Sequence, residues 1–152
     1  MVSSWKPWRW PVSDTSQPHV NWQPISALPL IGSMIDGLWD EAEQQYTNLQ
    51  ACQPTPHVLD HDTVGRVIKV YTAQVADLWL YEEQLSRWKH LHLTRSQQQE
   101  VDRLAAQIPT IRERITAILA LAEELKSGTI ETVLAKSDAE LGLEFLLGKR
   151  KP

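Results

Sequence analysis

The sequence predicts an all-α protein: an antiparallel bundle of three long helices plus one or two short C-terminal helices, preceded by an irregular N-terminal arm. Three observations support this fold class. Apolar residues recur at helical spacing from Ile31 to Leu125. Prolines and helix-capping residues separate the periodic stretches. Alternation of apolar and polar residues is never sustained for the length of a β-strand. Short loops make consecutive helices antiparallel neighbours.

The composition is that of one ordinary domain. The chain has 152 residues, of which 42% are hydrophobic and 22% charged. We assign residues 1–27 to an extended arm rich in tryptophan and proline, and residues 28–152 to the helical bundle domain. No signal peptide or membrane span is expected, because no long apolar run occurs. The lone Cys52 excludes an internal disulfide and suits a cytoplasmic protein.

The first helix is predicted to begin near Pro29, since proline is favoured in the first turn, and to end before Pro54. Met34, Trp39 and Tyr46 lie beside its apolar stripe. The stripe itself consists of Ile31, Ile35, Leu38, Ala42, Leu49 and Cys52.

The second helix is predicted to start near Asp60 or Asp62, either of which can cap it, and to run to about His92. Its stripe consists of Val64, Ile68, Tyr71, Val75, Leu78 and Leu85.

The third helix opens with the capping box Thr94-Arg95-Ser96-Gln97. Its apolar residues follow steps of three and four in strict alternation, which is a heptad pattern. They are Val101, Leu104, Ile108, Ile111, Ile115, Ile118, Ala122 and Leu125. Ile111 and Ile115 are therefore expected in the core. Pro109 should bend this helix without ending it, because the pattern continues in phase on both sides. The same pattern also permits self-association with a second copy.

Gly128 is expected to end the third helix. A short helix should follow at about Ile130–Ala135, and a second capping box at Ser137–Glu140 should open a helix that runs through Leu147.

Acidic residues are concentrated in the first two helices. Residues 31–92 hold nine acidic and four basic residues, a net charge of −5. The rest of the chain carries +1, which gives the total net charge of −4. We interpret the excess as a solvated face. Glu82 falls near the second apolar stripe, where we expect it to pair with a basic neighbour or to reach water. The overall acidity argues against nucleic-acid binding.

No motif of an enzyme class is found: the chain lacks a glycine-rich phosphate loop, a dinucleotide-binding glycine triplet, a nucleophile elbow and a metalloprotease helix. His57 and His61 have the spacing of metal ligands, but Pro56 favours a loop there. His90 and His92 lie at the other end of the same helix, roughly 45 Å away at 1.5 Å per residue, so that the two pairs cannot share a metal. We expect neither a metal nor another cofactor.

The best candidate for binding a partner is the N-terminal arm. Trp5, Trp8 and Pro11 are three residues apart, so they would share one face of a polyproline-II segment. Arg9 and Trp10 flank that face, and tryptophan and arginine are the residues most often found as binding hot spots. The predicted partner-binding residues are Trp5, Trp8, Arg9, Trp10, Pro11 and Trp22. Three outcomes remain open: the rings pack on their own bundle, on a partner protein, or weakly on a membrane surface.

The sequence therefore predicts a non-enzymatic protein–protein interaction module, or a small helical subunit of a larger assembly, with a protein partner or a homo-oligomer. The alternatives are a ligand- or metal-binding helical bundle and a peripheral membrane protein anchored by the tryptophan arm.

Overall fold

The computed structural model describes residues 20–130 and 133–135 and is an antiparallel bundle of three long helices packed against each other. These are α1 (Leu28–Cys52), α2 (His61–Lys89) and α3 (Arg95–Lys126). Short 3-10 turns at Ile25–Ala27 and Pro56–Val58 precede α1 and α2. No β-strand lies in the described part of the chain. The predicted fold class is confirmed; the second C-terminal helix, at 137–147, lies outside the described residues.

The helix ends follow the local chemistry of the sequence. Asp60 caps α2, because its Oδ1 accepts a hydrogen bond of 2.7 Å from the Thr63 main-chain N–H. Thr94 and Gln97 form the predicted capping box: Thr94 Oγ1 accepts from the Gln97 N–H at 3.1 Å, and Gln97 Oε1 accepts from the Thr94 N–H at 2.9 Å. Pro109 lies inside α3 and does not end it, as predicted.

The second helix ends earlier than predicted. It stops at Lys89 rather than near His92. The N–H groups of His90 and Leu91 bond to carbonyls three residues back, which tightens the last turn and closes the helix. Residues 90–93 form the loop between Lys89 and Thr94.

Two compact units make up the described chain. One holds the residues up to Glu41 together with Asp77–Arg112, and the other holds Ala42–Ala76 together with the residues from Glu113 onward. The buried apolar residues of the first unit are Leu28, Ile31, Ile35, Leu78, Tyr81, Leu85, Trp88, Val101, Leu104, Ile108 and Ile111. Those of the second unit are Ala42, Leu49, Val64, Val67, Tyr71, Ile115, Ile118, Leu121, Ala122 and Leu125.

The heptad prediction for α3 is confirmed in full. Every residue of the pattern is buried, and Ile111 and Ile115 are both 0% exposed. Because a single chain already covers this surface, the pattern is satisfied within one bundle and does not require a second copy.

The stripe predicted for α2 was partly wrong. Ile68 and Val75 are only half-buried, as are Leu38 and Cys52 in α1. The positions that face inward on α2 alternate by three and four. They are Val64, Val67, Tyr71, Gln74, Leu78, Tyr81, Leu85 and Trp88. Aromatic rings and one glutamine occupy half of this repeat, so a search for aliphatic residues finds only part of it.

Gln74 is a polar residue in this apolar repeat. Its side-chain nitrogen and oxygen are both buried, and neither has a hydrogen-bond partner among the described residues. A buried amide without partners destabilises the folded state, because it loses its hydrogen bonds to water and gains none. Gln84, also on α2, is 1% exposed but both ends of its amide are bonded.

We therefore expect Gln74→Leu to raise the free energy of unfolding by about 1–3 kcal/mol, because it removes an unsatisfied buried amide. Gln84→Leu is the matched control: the same change at a bonded site should lower stability by a similar amount. Urea denaturation followed by circular dichroism measures both. If the two variants shift the midpoint in the same direction, the difference in bonding between the two amides does not determine their contribution.

Candidate functional site

The residues directly before α1 are bound to α2 through the main chain. The Gln23 N–H donates to Gln84 Oε1 at 2.7 Å, and the Gln23 carbonyl accepts from Gln84 Nε2 at 3.2 Å. Trp88 Nε1 donates to the same carbonyl at 3.0 Å. Gln84 and Trp88 are each 1% exposed. We call these two side chains the α2 clamp. It fixes the inner end of the N-terminal arm.

Trp22 lies on α2 beside this clamp. Its ring meets Trp79 edge-on, with ring centroids 6.3 Å apart and planes at 73°. The Arg87 guanidinium lies 4.4 Å from the Trp22 ring centroid, in a cation–π contact. Arg87 also pairs with Glu83 one turn earlier, at 3.2 Å. Trp79 remains 51% exposed, so that a large apolar surface stays accessible next to the arm.

The predicted partner-binding residues divide into two groups. Trp22 lies among the described residues and contacts α2 of its own chain. This contact corresponds to the first of the three outcomes, in which the rings pack on their own bundle. Trp5, Trp8, Arg9, Trp10 and Pro11 lie outside the described residues. The sequence analysis missed Gln84 and Trp88, which bond the main chain of Gln23 next to Trp22. The alternating repeat of α2, extended to include tryptophan, would have found Trp88 but not Gln84.

Three arginines of α3 pair with acidic residues of the other two helices. Arg103 donates bidentate hydrogen bonds to the Asp36 carboxylate of α1, at 2.9 and 3.0 Å. It also donates to Glu100. Arg112 donates bidentate hydrogen bonds to the Glu82 carboxylate of α2, at 2.7 and 3.1 Å. This confirms the expectation that Glu82 pairs with a basic neighbour. In the second unit, Arg114 pairs with Glu43 and lies 4.5 Å from the Tyr46 ring centroid.

These pairs account for part of the acidic excess of the first two helices. Hydrogen bonds from Arg103 hold the pKa of Asp36 and the pKa of Glu100 below their ordinary values. In contrast, burial raises the pKa of Glu41. Burial and the charge of Asp77 raise the pKa of Tyr81 to about 12. The paired carboxylates thus hold helices together, and the interpretation of the acidic residues as a purely solvated face was too simple.

Arg103→Gln is expected to flatten the pH dependence of stability in acid. The pKa values of Asp36 and Glu100 lie below their ordinary values of 3.8 and 4.5 in the folded chain. The stability that they contribute is therefore present above those values and is lost as the pH falls through the folded pKa values. Urea denaturation at a series of pH values from about 2 to about 6 measures the slope.

Arg66→Gln is the control, because Arg66 pairs with Asp62 on an exposed face of α2. This variant should keep nearly the wild-type slope, because the hydrogen bonds from Thr63 lower the pKa of Asp60 more than the charge of Arg66 does. If the stability of the Arg103 variant falls as steeply with decreasing pH as that of the wild type, Arg103 does not lower the pKa values of Asp36 and Glu100.

The first unit also contains an open groove of about 610 Å³ between the start of α1 and the start of α3. Ile25, Leu28 and Pro29 form one side, and Gln97, Glu100 and Arg103 lie on the other. Glu100 and Arg103 bond each other, and Gln97 is used in the capping box. These three polar side chains of the groove are therefore engaged in holding the fold.

The four histidines among the described residues lie at the ends of α2. His57 is in the 3-10 turn before it, His61 is its first residue, and His90 and His92 follow its last residue. Across residues 20–130 and 133–135, no cluster of three His, Cys, Asp or Glu side chains could hold a metal ion. Within the same ranges, no helix combines the length and the hydropathy required to cross a membrane.

The arrangement best suited to molecular recognition is thus the surface formed by Trp22, Trp79 and Arg87 next to the α2 clamp. It presents two aromatic rings and a cation at the place where the arm joins the bundle. Comparison of the chain with protein-family models, with curated proteins and with solved structures found no match.

Proposed function

We propose that this chain is a non-catalytic protein–protein interaction module, or a small helical subunit of a larger assembly, which anchors a partner through its N-terminal arm. The observation that supports this most directly is the fixed inner end of the arm. Gln23 is bonded to buried side chains, and Trp22 rests against Trp79 and Arg87. The arm is therefore attached to the bundle at a defined point.

A fixed attachment favours binding because less conformational freedom is lost when the partner docks. The half-exposed Trp79 lies beside that point and adds apolar area to the surface that a partner can cover. Tryptophan and arginine dominate binding energies at protein interfaces, since each buries a large area and keeps a polar group. Trp5, Trp8, Arg9, Trp10 and Pro11 would extend the same chemistry along the arm.

A non-catalytic role agrees with the use of the charged residues. Arg103, Arg112 and Arg114 are engaged in ion pairs between helices. A catalytic group needs a pKa and a position suited to a substrate, and paired side chains of this kind serve to hold helices in place.

The buried heptad residues of α3 favour a partner on the arm over a second copy on α3. With one cysteine and no disulfide, we place the module in the cytoplasm.

The test is to purify the full chain from the cells that produce it and to quantify by mass spectrometry what co-purifies. The variant is Trp5→Ala/Trp8→Ala, which removes the two rings that would share one face. The matched control keeps the composition of residues 1–19 but shuffles their order, so that the three-residue spacing is lost. We expect one partner in stoichiometric amount with the wild type, and its loss in both altered chains.

A second control, Leu30→Ala, truncates a 57% exposed side chain of α1 and should retain the partner. If the wild type, the two chains with an altered arm and Leu30→Ala all retain the partner equally, the arm is not the element that binds it. A monomer by light scattering with nothing bound in the wild type would contradict the proposed function itself.

A further inference from the structure

Exposed apolar side chains are concentrated where α1 joins α2 and where α3 ends. Among the residues that the structure describes, seven large hydrophobic side chains are exposed, and four of them belong to these two places. They are Val58 (66% exposed), Leu134 (57%), Val133 (40%) and Ile130 (38%). We call these four side chains the loop-end patch. Single exposed apolar residues are normal on a protein surface, but a group of neighbours marks a place where another element packs.

The two segments that carry the patch are held against each other. The Ile130 N–H donates to the Leu59 carbonyl at 2.9 Å. Gly128 lies so close to Pro56 that an added Cβ would meet the proline ring carbons at 2.7 and 2.8 Å. Thr129, between these two contacts, is 0% exposed. The patch residues adjoin these contacts, so they belong to one surface of fixed geometry rather than to two separate loops.

The chain continues directly from this patch. The Val133 N–H bonds the Thr129 carbonyl at 2.9 Å, as in a helix, and residues 133–135 are helical. Only Lys136 separates them from the capping box that the sequence predicts at Ser137–Glu140. The helix predicted after that box therefore starts beside the patch, whichever way the chain turns.

This predicted helix needs an apolar surface to pack against. A helix of its length is marginal in water by itself, and its stability comes from packing of its apolar face. At 100° per residue, Leu143, Leu146 and Leu147 fall within a sector of about 100° and form one apolar stripe. Leu141 and Phe145 are on the opposite side, with one apolar residue fewer. The stripe of three leucines is therefore the face that we expect to pack.

We propose that the loop-end patch is the docking surface for the chain's own C-terminal segment: residues 137–147 form a further helix that packs on it through Leu143, Leu146 and Leu147. The docked helix covers the α1–α2 loop at Val58 and holds that loop against the end of α3. The inference goes beyond the function proposed above and is independent of it, because neither the arm nor its partner takes part.

The size of the patch favours this segment over a second copy of the chain. Four partly exposed aliphatic side chains present on the order of 200 Å² of apolar area. A stable interface between proteins buries about 800 Å² on each partner. A tethered segment needs less area, because a short linker gives it an effective concentration in the millimolar range. The patch is therefore large enough for a short helix of the same chain and too small for a stable dimer.

The test measures whether the patch is covered in the full chain. Val58→Cys in a Cys52→Ala background places a single thiol in the patch, and its rate of reaction with iodoacetamide reports its exposure. We expect Leu143→Asp/Leu146→Asp to accelerate this reaction about tenfold or more, because the undocked state of a stable two-state equilibrium is populated to about 10% or less. Without the aspartates, the rate should not change when the protein is diluted, since the helix docks within one chain.

The matched control is Leu141→Asp/Phe145→Asp, which makes the same change on the opposite side of the predicted helix and should leave the patch thiol protected. A second control places the thiol elsewhere, with Leu30→Cys in the same background, at a 57% exposed position of α1. Its rate should be the same with and without the aspartates at 143 and 146, which also shows that the bundle stays folded.

Three results would overturn the proposal. The first is a patch thiol that reacts equally fast with and without the aspartates at 143 and 146. The second is an equal acceleration by both pairs of aspartates, because protection would then not depend on the stripe of three leucines. The third is protection that is lost on dilution together with a doubled mass by light scattering at high concentration, which would make a second copy the occupant.

Discussion

Trp88→Ala is expected to lower the free energy of unfolding by about 3–5 kcal/mol, the range for removal of a buried aromatic side chain. Trp88 is 1% exposed and fills the last inward position of α2. Its truncation opens a cavity between the helices of the first unit and also removes the donor to the Gln23 carbonyl at 3.0 Å. Two effects therefore act in the same direction. Urea denaturation followed by circular dichroism gives the change.

Trp79→Ala is the matched control on the same helix. Its ring is 51% exposed, so the same truncation should cost about 1 kcal/mol or less. In the Trp88 variant, the indole N–H resonance of Trp22 should also shift, because the segment that holds Trp22 loses one of its anchors. Equal losses of stability in the two variants would mean that Trp88 does not anchor the core of the first unit.

Ile115→Ala is expected to cost about 2–5 kcal/mol, the usual range for truncation of a buried aliphatic side chain. Ile115 is 0% exposed, within the buried heptad of α3. The size of the loss depends on how far the neighbouring helices can collapse into the space. Urea denaturation measures this loss as a lower midpoint concentration, while the slope of the free energy of unfolding against urea concentration stays unchanged.

Ile130→Ala is the control, because it removes the same atoms from a side chain that is 38% exposed. It should cost less than half as much as Ile115→Ala. An unaltered midpoint for Ile115→Ala would place the α3 heptad at the surface of the chain in solution.

The third helix could be predicted almost completely because its signals are local and aliphatic. Its capping box involves residues three apart, and its heptad consists of Val, Leu, Ile and Ala. The second helix was harder, since its inward positions include Gln74, Tyr81 and Trp88. These residues have polar atoms, and only their long-range surroundings decide whether those atoms are bonded, unsatisfied or exposed.

The candidate site was less predictable still. The sequence marked Trp22 as a binding residue because it is one of the tryptophans of the arm, but it gave no information on which surface receives this ring. Its contacts join residues far apart in the chain, such as Gln23 and Gln84, which are separated by 61 positions. The arginine–carboxylate pairs between helices are equally non-local. Charge counts located the excess of acidic residues in the first two helices, yet they could not identify the partners of Asp36 or Glu82.

The spacing of these contacts along the chain has a consequence for how the protein folds. The pair between α2 and α3, Glu82–Arg112, closes a loop of 30 residues, whereas Asp36–Arg103 spans 67. Closing a longer loop costs more entropy. The α2–α3 hairpin should therefore form early, with α1 added to it afterwards. Docking of Gln23 on Gln84 and Trp88 depends on the finished hairpin and comes late. Until Gln23 docks, the Gln84 amide and the Trp88 indole N–H bond to water in the newly folded hairpin.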